Sequence, residues 1–223
     1  MHKKARSQTP RQRFSPQERQ KMIIDGAIKF FAEHGFDGST HQLAKFLGVT
    51  QPLIYQYFPT KEDLIDAAYQ ELFHSRWSDE WDGILADRSR PVEDRLQDFY
   101  ERYCEVIHSP EWIRVFLYSG LKNLELVSRY TPMVEDRAIR RICIEAREGF
   151  GLPGLDKRPI EASEFEAVWT MHGGIFYYGV RRYVYNVPVE ATRSELIRAA
   201  VGTFVKGYPG LMASLGVAGP TDM

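Results

Sequence analysis

The stretch from Ser39 to Leu64 reads STHQLAKFLGVTQPLIYQYFPTKEDL and places three helix starts within 26 residues. Ser39 is a helix-capping residue, and Gln42 three positions on closes a capping box. The helix that follows is predicted over Thr40 to Leu47, with Leu43, Ala44 and Leu47 on one face. Gly48 ends it, because glycine takes the left-handed C-terminal turn without a Cβ clash. Thr50 caps the next helix, and Pro52 is tolerated in its first turn. That helix carries Leu53, Ile54, Tyr55, Gln56, Tyr57 and Phe58 before Pro59 stops it. Thr60 opens a third helix, with Asp63 at the capping-box position.

Two short helices joined by Gly48-Val49-Thr50 form a helix-turn-helix pattern. Helices this short are marginal alone in water, so packing must hold them. The second is slim enough to enter a DNA major groove and present side chains to base edges. By spacing, Leu53 or Ile54 and Phe58 point inward, leaving Gln51, Tyr55 and Gln56 outward or on the flank. Glutamine can make paired hydrogen bonds to adenine, and tyrosine can reach phosphates or thymine methyls. Thr40, Thr50 and Lys61 sit at or beside helix N-termini, where backbone N–H groups favour a phosphate. Tyr57 completes the candidate DNA-binding set, though an aromatic at its position can equally serve the core.

Tyr55-Gln56-Tyr57-Phe58-Pro59-Thr60-Lys61-Glu62-Asp63-Leu64 closely resembles the signature of the TetR family of bacterial transcriptional regulators. His34-Gly35-Phe36 and Ser39-Thr40 match that family's path from its first helix into its second. The resemblance is dense from about Ser15 to Leu64 and thin beyond. Gln56 stands where many members carry histidine or arginine. The resemblance implies an all-α protein with an N-terminal three-helix DNA-binding unit and a C-terminal antiparallel helical bundle. The bundle would form a ligand pocket and a dimer interface. It also implies a repressor that binds a palindromic double-stranded DNA operator as a homodimer and is released by a small-molecule effector.

On the N-terminal side, Ser15-Pro16-Gln17-Glu18 is a strong helix start, and Ile23, Ile24, Ala27, Phe30 and Phe31 follow at helical spacing. Residues 1–14 carry Lys3, Lys4, Arg6, Arg11 and Arg13 and no acid. They read either as a solvated tail or as an arm along the DNA backbone or minor groove. Residues 1–64 hold 10 Lys or Arg against 6 Asp or Glu, whereas the remainder holds 19 against 24. A basic front and an acidic back suit a chain that meets phosphates at one end. We therefore expect a DNA-binding domain over 1–60 and an effector-binding and dimerisation domain over 61–223.

On the C-terminal side, the helix from Lys61 is expected to run through Ala67, Ala68, Leu72 and Phe73 toward Trp81, with a loop from Gly83 to Pro91. Further helices are expected from Pro91 to about His108, from Trp112 to near Val127, and from Thr131-Pro132 through Ala146. Pro159 to Asn186 reads as a long helix apolar on more than one face, and the last helix starts at Thr192 with Glu195 completing a capping box. Two such helices can bury one side in their own core and the other in a symmetric partner. Val168, Ile175, Ile197, Val201, Phe204 and Tyr208 are the expected interface residues. Gly173-Gly174 interrupts the long helix at about 1 kcal/mol each relative to alanine, which a close crossing, a kink or room for a ligand must offset.

The aromatic surplus of this half is core in the ordinary case. Family resemblance favours an apolar effector pocket, for which Phe99, Tyr103, Trp112, Phe116, Trp169, His172 and Phe176 are the candidates. A regulator without an effector is the close alternative. Glu71-x-x-His74 and Glu105-x-x-His108 also resemble half of a helical di-metal carboxylate site, but no matching pair of extra glutamates stands out. No cofactor is implied. Cys104 and Cys143 have no metal or redox spacing, and no long uncharged apolar run suggests a membrane, so a cytoplasmic protein is expected.

Overall fold

The computed structural model describes residues 14–122 and 125–217, and every regular element among them is helical. The basic segment at the N-terminus lies almost wholly outside the described residues. Helix α1 spans Pro16–His34, α2 Thr40–Leu47, α3 Gln51–Tyr57 and α4 Lys61–Tyr69. The capping boxes at Ser15, Ser39 and Thr60 are all formed, each side-chain oxygen accepting from the backbone three residues on. Gly48 sits at φ 65°, ψ 30°, the left-handed turn its position demands. Thr50 occupies the N-cap position, but its side chain makes no capping bond. Its backbone is already extended there, and the hydroxyl is left without that role.

The four helices share one core. Ile23, Ala27 and Phe31 of α1 meet Leu43 and Ala44 of α2, Ile54 of α3, and Phe58 and Leu64 beyond it, all buried. Leu47 is only half-buried, because it closes over Gly26: a Cβ at that glycine would fall 2.0 Å from a Leu47 methyl. Glycine at position 26 therefore lets α1 and α2 approach closely.

Beyond Tyr69 the chain departs from the expected single rod. Helix α4 passes into a π-helical turn, Gln70–His74, and ends at Ser75. A new helix, α5 (Asp79–Ala86), starts where Ser78 accepts from the Glu80 amide at 3.2 Å. Trp81 and Gly83 are thus on α5, and the loop begins only at Asp87. Helix α6 (Val92–Ile107) and α7 (Pro110–Leu121) follow. Val127 belongs not to α7 but to α8 (Glu125–Val134), which continues through a second π-helical segment, Glu135–Arg140, into α9 (Arg141–Gly149). Pro132 lies inside α8 rather than opening a helix. A proline there removes one helical N–H, and the hydrogen-bond ladder widens just after it. Helices α10 (Ala162–Tyr183) and α11 (Arg193–Ser214) close the fold, the latter with the expected Thr192/Glu195 box.

Helix α6 is the axis of the body, with Leu96, Phe99, Tyr100, Tyr103, Cys104 and Ile107 fully buried. Two buried arginines pin the other helices around it. Arg95 donates to Glu145 at 2.7 Å and to the Leu85 carbonyl at 2.6 Å, joining α5, α6 and α9. Arg147 donates twice to Glu164, at 2.9 and 2.6 Å, and to the carbonyls of Pro153, Arg158 and Pro159. Tyr208 donates to the same carboxylate at 2.6 Å, so α9, α10 and α11 meet on one buried ion pair. A buried pair is tolerated only when its remaining donors and acceptors are satisfied, and here all five guanidinium N–H directions have acceptors.

Candidate nucleic-acid interface and ligand cavity

The outward side of the helix-turn-helix carries a small hydrogen-bonded network. Gln51 of α3 donates through Nε2 to Oγ1 of Thr40 on α2 at 2.9 Å. The same oxygen lies 2.9 Å from the Tyr55 hydroxyl. Three of the candidate residues are therefore tied together across the two helices, which fixes their rotamers before anything binds. Tyr55 and Gln56 are exposed, Gln51 and Tyr57 half-buried, and Thr40 almost covered. Tyr57 packs against the core with its ring. Thr50 is exposed at the start of α3. Lys61 donates to the carbonyl of Phe36, stitching the start of α4 to the turn after α1. One of its three N–H groups is used this way, and two remain.

The body holds a chamber of about 100 Å³. Six of the seven expected residues line it: Tyr103, Trp112, Phe116, Trp169, His172 and Phe176. Phe99 does not. It is stacked on the far side of Tyr103, with centroids 5.6 Å apart and planes at 9°, and belongs to the core. Tyr130, Thr131, Val134 and Gly173 complete the wall. The first three were missed because Pro132 was read as a helix start, which hid the α8 face that carries them. No lining side chain bears a fixed charge. Burial pushes the His172 imidazole down to about 4, and the neighbouring His108 adds to that, so it is neutral at ordinary pH. Burial also raises the phenols of Tyr103 and Tyr130, which face each other at 2.9 Å.

Residues 23–68, from the middle of α1 to the end of α4, match the family model described as bacterial regulatory proteins, tetR family. The regulator SrpR of Pseudomonas putida is 24% identical over 205 residues, 84% of each chain. HbdR of Aromatoleum sp. (strain CIB) is 30% identical over 133 residues, 59% of this chain but only 52% of HbdR. The solved structure of a TetR-like regulator from Rhodococcus sp. RHA1 superposes with a TM-score of 0.66 over 87% of this chain and all of that one, at 16% identity. The head of the chain thus matches the TetR family. The all-helical order, with a helix-turn-helix head and a larger helical body, is the TetR-like fold.

Of the six expected dimer residues, Phe204 and Tyr208 reach the groove between α10 and α11, and the other four pack inside the chain. Val168, Ile175, Ile197, Val201 and Tyr208 are at most 1% exposed, and Phe204 is 9% exposed, all within one chain. Apolar periodicity located the side of α10 and α11 that faces their own core. The outward side is instead a groove of about 580 Å³ between the two helices, floored by Gly174, Ala199, Ala200, Thr203 and Gly207, with Phe204 and Tyr208 at its base. Small residues give that side little hydropathy signal.

The di-metal alternative fails on geometry. Glu71 is held by Lys21 at 3.0 Å, Glu105 is exposed, and His108 is buried with Nε2 3.0 Å from the Ile175 carbonyl. These side chains do not converge, and the described residues contain no cluster of three or more metal-ligating groups. Cys104 and Cys143 are buried, and burial raises both thiols, Cys143 to about 12, which makes them unreactive. Among the described residues no helix is long and apolar enough to cross a membrane.

Proposed function

We propose that this protein is a cytoplasmic transcriptional repressor that binds a palindromic operator as a homodimer and leaves it when a small, largely apolar molecule occupies the chamber. The observation that carries the DNA half is the Thr40–Gln51–Tyr55 network, which preorganises one glutamine and one tyrosine on the recognition helix. Gln51 and Gln56 read base edges, and Thr50, Tyr55 and the two remaining Lys61 N–H groups hold phosphates. Thr40 and Tyr57 act mainly by positioning their neighbours. The head ends near residue 60, and the body from 61 onward carries the chamber and the partner-facing groove of α10 and α11.

A physical link between the two halves supports the release step. Arg129 of α8 bonds Asp66 of α4 at 2.7 Å and lies over the Tyr69 ring at 4.7 Å. Its neighbour Tyr130 is chamber wall. Phe73, in the π-helical turn after α4, touches the chamber aromatics Trp112 and Tyr130 at 4.9 and 5.4 Å. A ligand that moves α8 or Phe73 moves α4, and with it the spacing of two reading heads on the DNA. Such coupling is reciprocal, and a typical value of about 1–3 kcal/mol changes operator affinity roughly 5–150-fold.

Selection of bound duplexes from a random pool by the purified protein tests the reading. A palindrome should emerge. Gln51→Ala should relax preference at one or two positions per half-site, whereas Lys61→Ala should weaken all sequences alike and lower the salt slope by about one. Recovery of no preferred sequence would overturn the regulator reading.

A further inference from the structure

The polar groups of the chamber gather at one end. The His172 and Tyr103 ring centroids are 5.5 Å apart, and Tyr130 bonds Tyr103. The other end is aromatic, with Trp112 and Phe116 stacked at 5.1 Å and Phe176 edge-on to both. Among the described residues, the His172 ring makes one hydrogen bond, through Nδ1 to the Tyr100 hydroxyl at 3.3 Å. Tyr100 is fully buried and has no other bond among the described residues. Its O–H must therefore donate to Nδ1, since the reverse arrangement would leave a buried hydroxyl hydrogen without an acceptor. That choice sets the tautomer and places the His172 proton on Nε2. Likewise, when one phenol of the Tyr103–Tyr130 pair donates to the other, one O–H is left over.

Size adds a second constraint. An apolar cavity of about 150 Å³ is known to accept benzene, so a chamber near 100 Å³ excludes anything larger than one ring and must widen to admit even that. Gly173 helps to keep that space open, since a Cβ built on it meets nothing within 4 Å although it borders the chamber.

We infer that the chamber selects a neutral, single-ring aromatic molecule bearing one acceptor oxygen, of the phenol class, with its ring between Trp112, Phe116 and Phe176 and its oxygen on His172 Nε2–H and the spare phenolic O–H. A carboxylate would arrive without a cation to pair with, and a quaternary ammonium would meet ring faces but no anion. Burying an unpaired charge is strongly disfavoured. The two donors also discriminate against the bare hydrocarbon, which would leave both without partners. This inference rests on reading the chamber as the effector site.

The test is calorimetric titration of the full-length protein with phenol, toluene, benzoate and tetramethylammonium. Phenol should bind saturably and at least tenfold more tightly than toluene, with the two ions weaker than either. His172→Phe should bring the phenol-to-toluene ratio below about threefold while keeping toluene binding. His172→Gln, which retains an N–H donor, should restore much of the ratio and guards against simple misfolding of the first variant. Gly173→Ala should weaken both ligands. Tighter binding of benzoate or of tetramethylammonium than of phenol, absence of saturable phenol binding, or an unchanged ratio in a folded His172→Phe protein would each overturn the assignment. Operator selection without ligand is scored separately, so loss of the ligand class leaves the DNA-binding reading standing, and failure to select DNA leaves the ligand measurements interpretable.

Discussion

At the head, Thr40, Gln51 and Tyr55 satisfy one another near the surface, and the helices beneath them are held by capping boxes whose partners lie three residues apart. In the body, charges are buried and satisfied over long range, as in Arg147–Glu164–Tyr208, while the chamber keeps neutral donors short of acceptors. The head is thus set for a highly charged, hydrated partner, and its polar groups can exchange one another for phosphate or base at little loss. The body cannot make such exchanges cheaply. Its open donors are the contacts we assign to the bound ligand.

Four experiments sharpen or break this contrast. The largest effect is expected for a carboxylate placed in the body's core. Val201→Asp should yield no folded protein, because its side chain is fully buried in the hydrophobic core. Thr203→Arg, two residues away but on the exposed groove, should leave the monomer folded and abolish dimer mass in light scattering, with operator binding lost. A folded Val201→Asp monomer, or an unaltered Thr203→Arg dimer, would move the partner-facing side back to where hydropathy placed it.

Next is the buried ion pair. Removing one partner strands the other, so Glu164→Ala should cost about 3–5 kcal/mol in urea unfolding. A loss under about 1 kcal/mol would mean that the three helix ends do not depend on that junction.

The third is acid sensitivity. His108 and His172 are both held down to about 4 by burial, against 6.5 ordinarily. His172 is faced by Tyr100, Tyr103, Trp169 and the uncharged His108. His108 is faced by the Ile175 carbonyl and Tyr178, with Arg182 and Arg193 nearby. Below about pH 6.5 the unfolded chain gains protons that the folded chain refuses, so stability falls with pH down to about 4. By pH 5 the loss should be about 2 kcal/mol per histidine, and His172→Phe should remove its share of the slope. A flat stability profile from pH 7 to pH 5 would contradict their burial as neutral rings.

The smallest effect belongs to the head. Tyr55→Phe removes one hydroxyl from a surface network and should lower stability by about 1 kcal/mol or less. Operator affinity should fall further than stability, by about three- to tenfold, because Tyr55 braces the Thr40 hydroxyl that Gln51 also bonds and is itself a proposed phosphate contact. Equal affinity in the variant would deprive the network of its role in reading.

The same contrast decides what could be read without coordinates. The head was legible because its signals are local: Ser39 to Gln42, Gly48, Thr60 to Asp63, each acting within a few residues. The chamber was mostly legible, since six aromatic or histidine positions follow helical spacing on α6, α7 and α10, but spacing cannot tell the first layer from the second, and Phe99 fell behind Tyr103. Tyr130, Thr131 and Val134 were hidden by a mid-helix proline that sequence logic treats as a boundary. Of the groove of α10 and α11 only Phe204 and Tyr208 were legible, because hydropathy reports the residues that a helix buries in its own chain. A surface of Gly174, Ala199, Thr203 and Gly207 speaks through shape, which periodicity does not measure. Close packing of Leu47 on Gly26 was invisible for the same reason.

The π-helical turn at Gln70–His74 carries spare length. Each residue of an α-helix advances the chain by about 100° around its axis, and a π-helical turn holds what amounts to one residue more than an α-helical path over the same length. Helix α4 enters the turn without a break, so the turn stores one residue that the helical path does not need. Deleting a single position between Gln70 and His74 would let it relax to ordinary α-helix with both flanks in the phase they already hold. The same deletion inside α4 would swing everything on its N-terminal side by about 100° around the axis. The turn is a length of slack: it can give up a residue without changing the direction in which the reading helix faces.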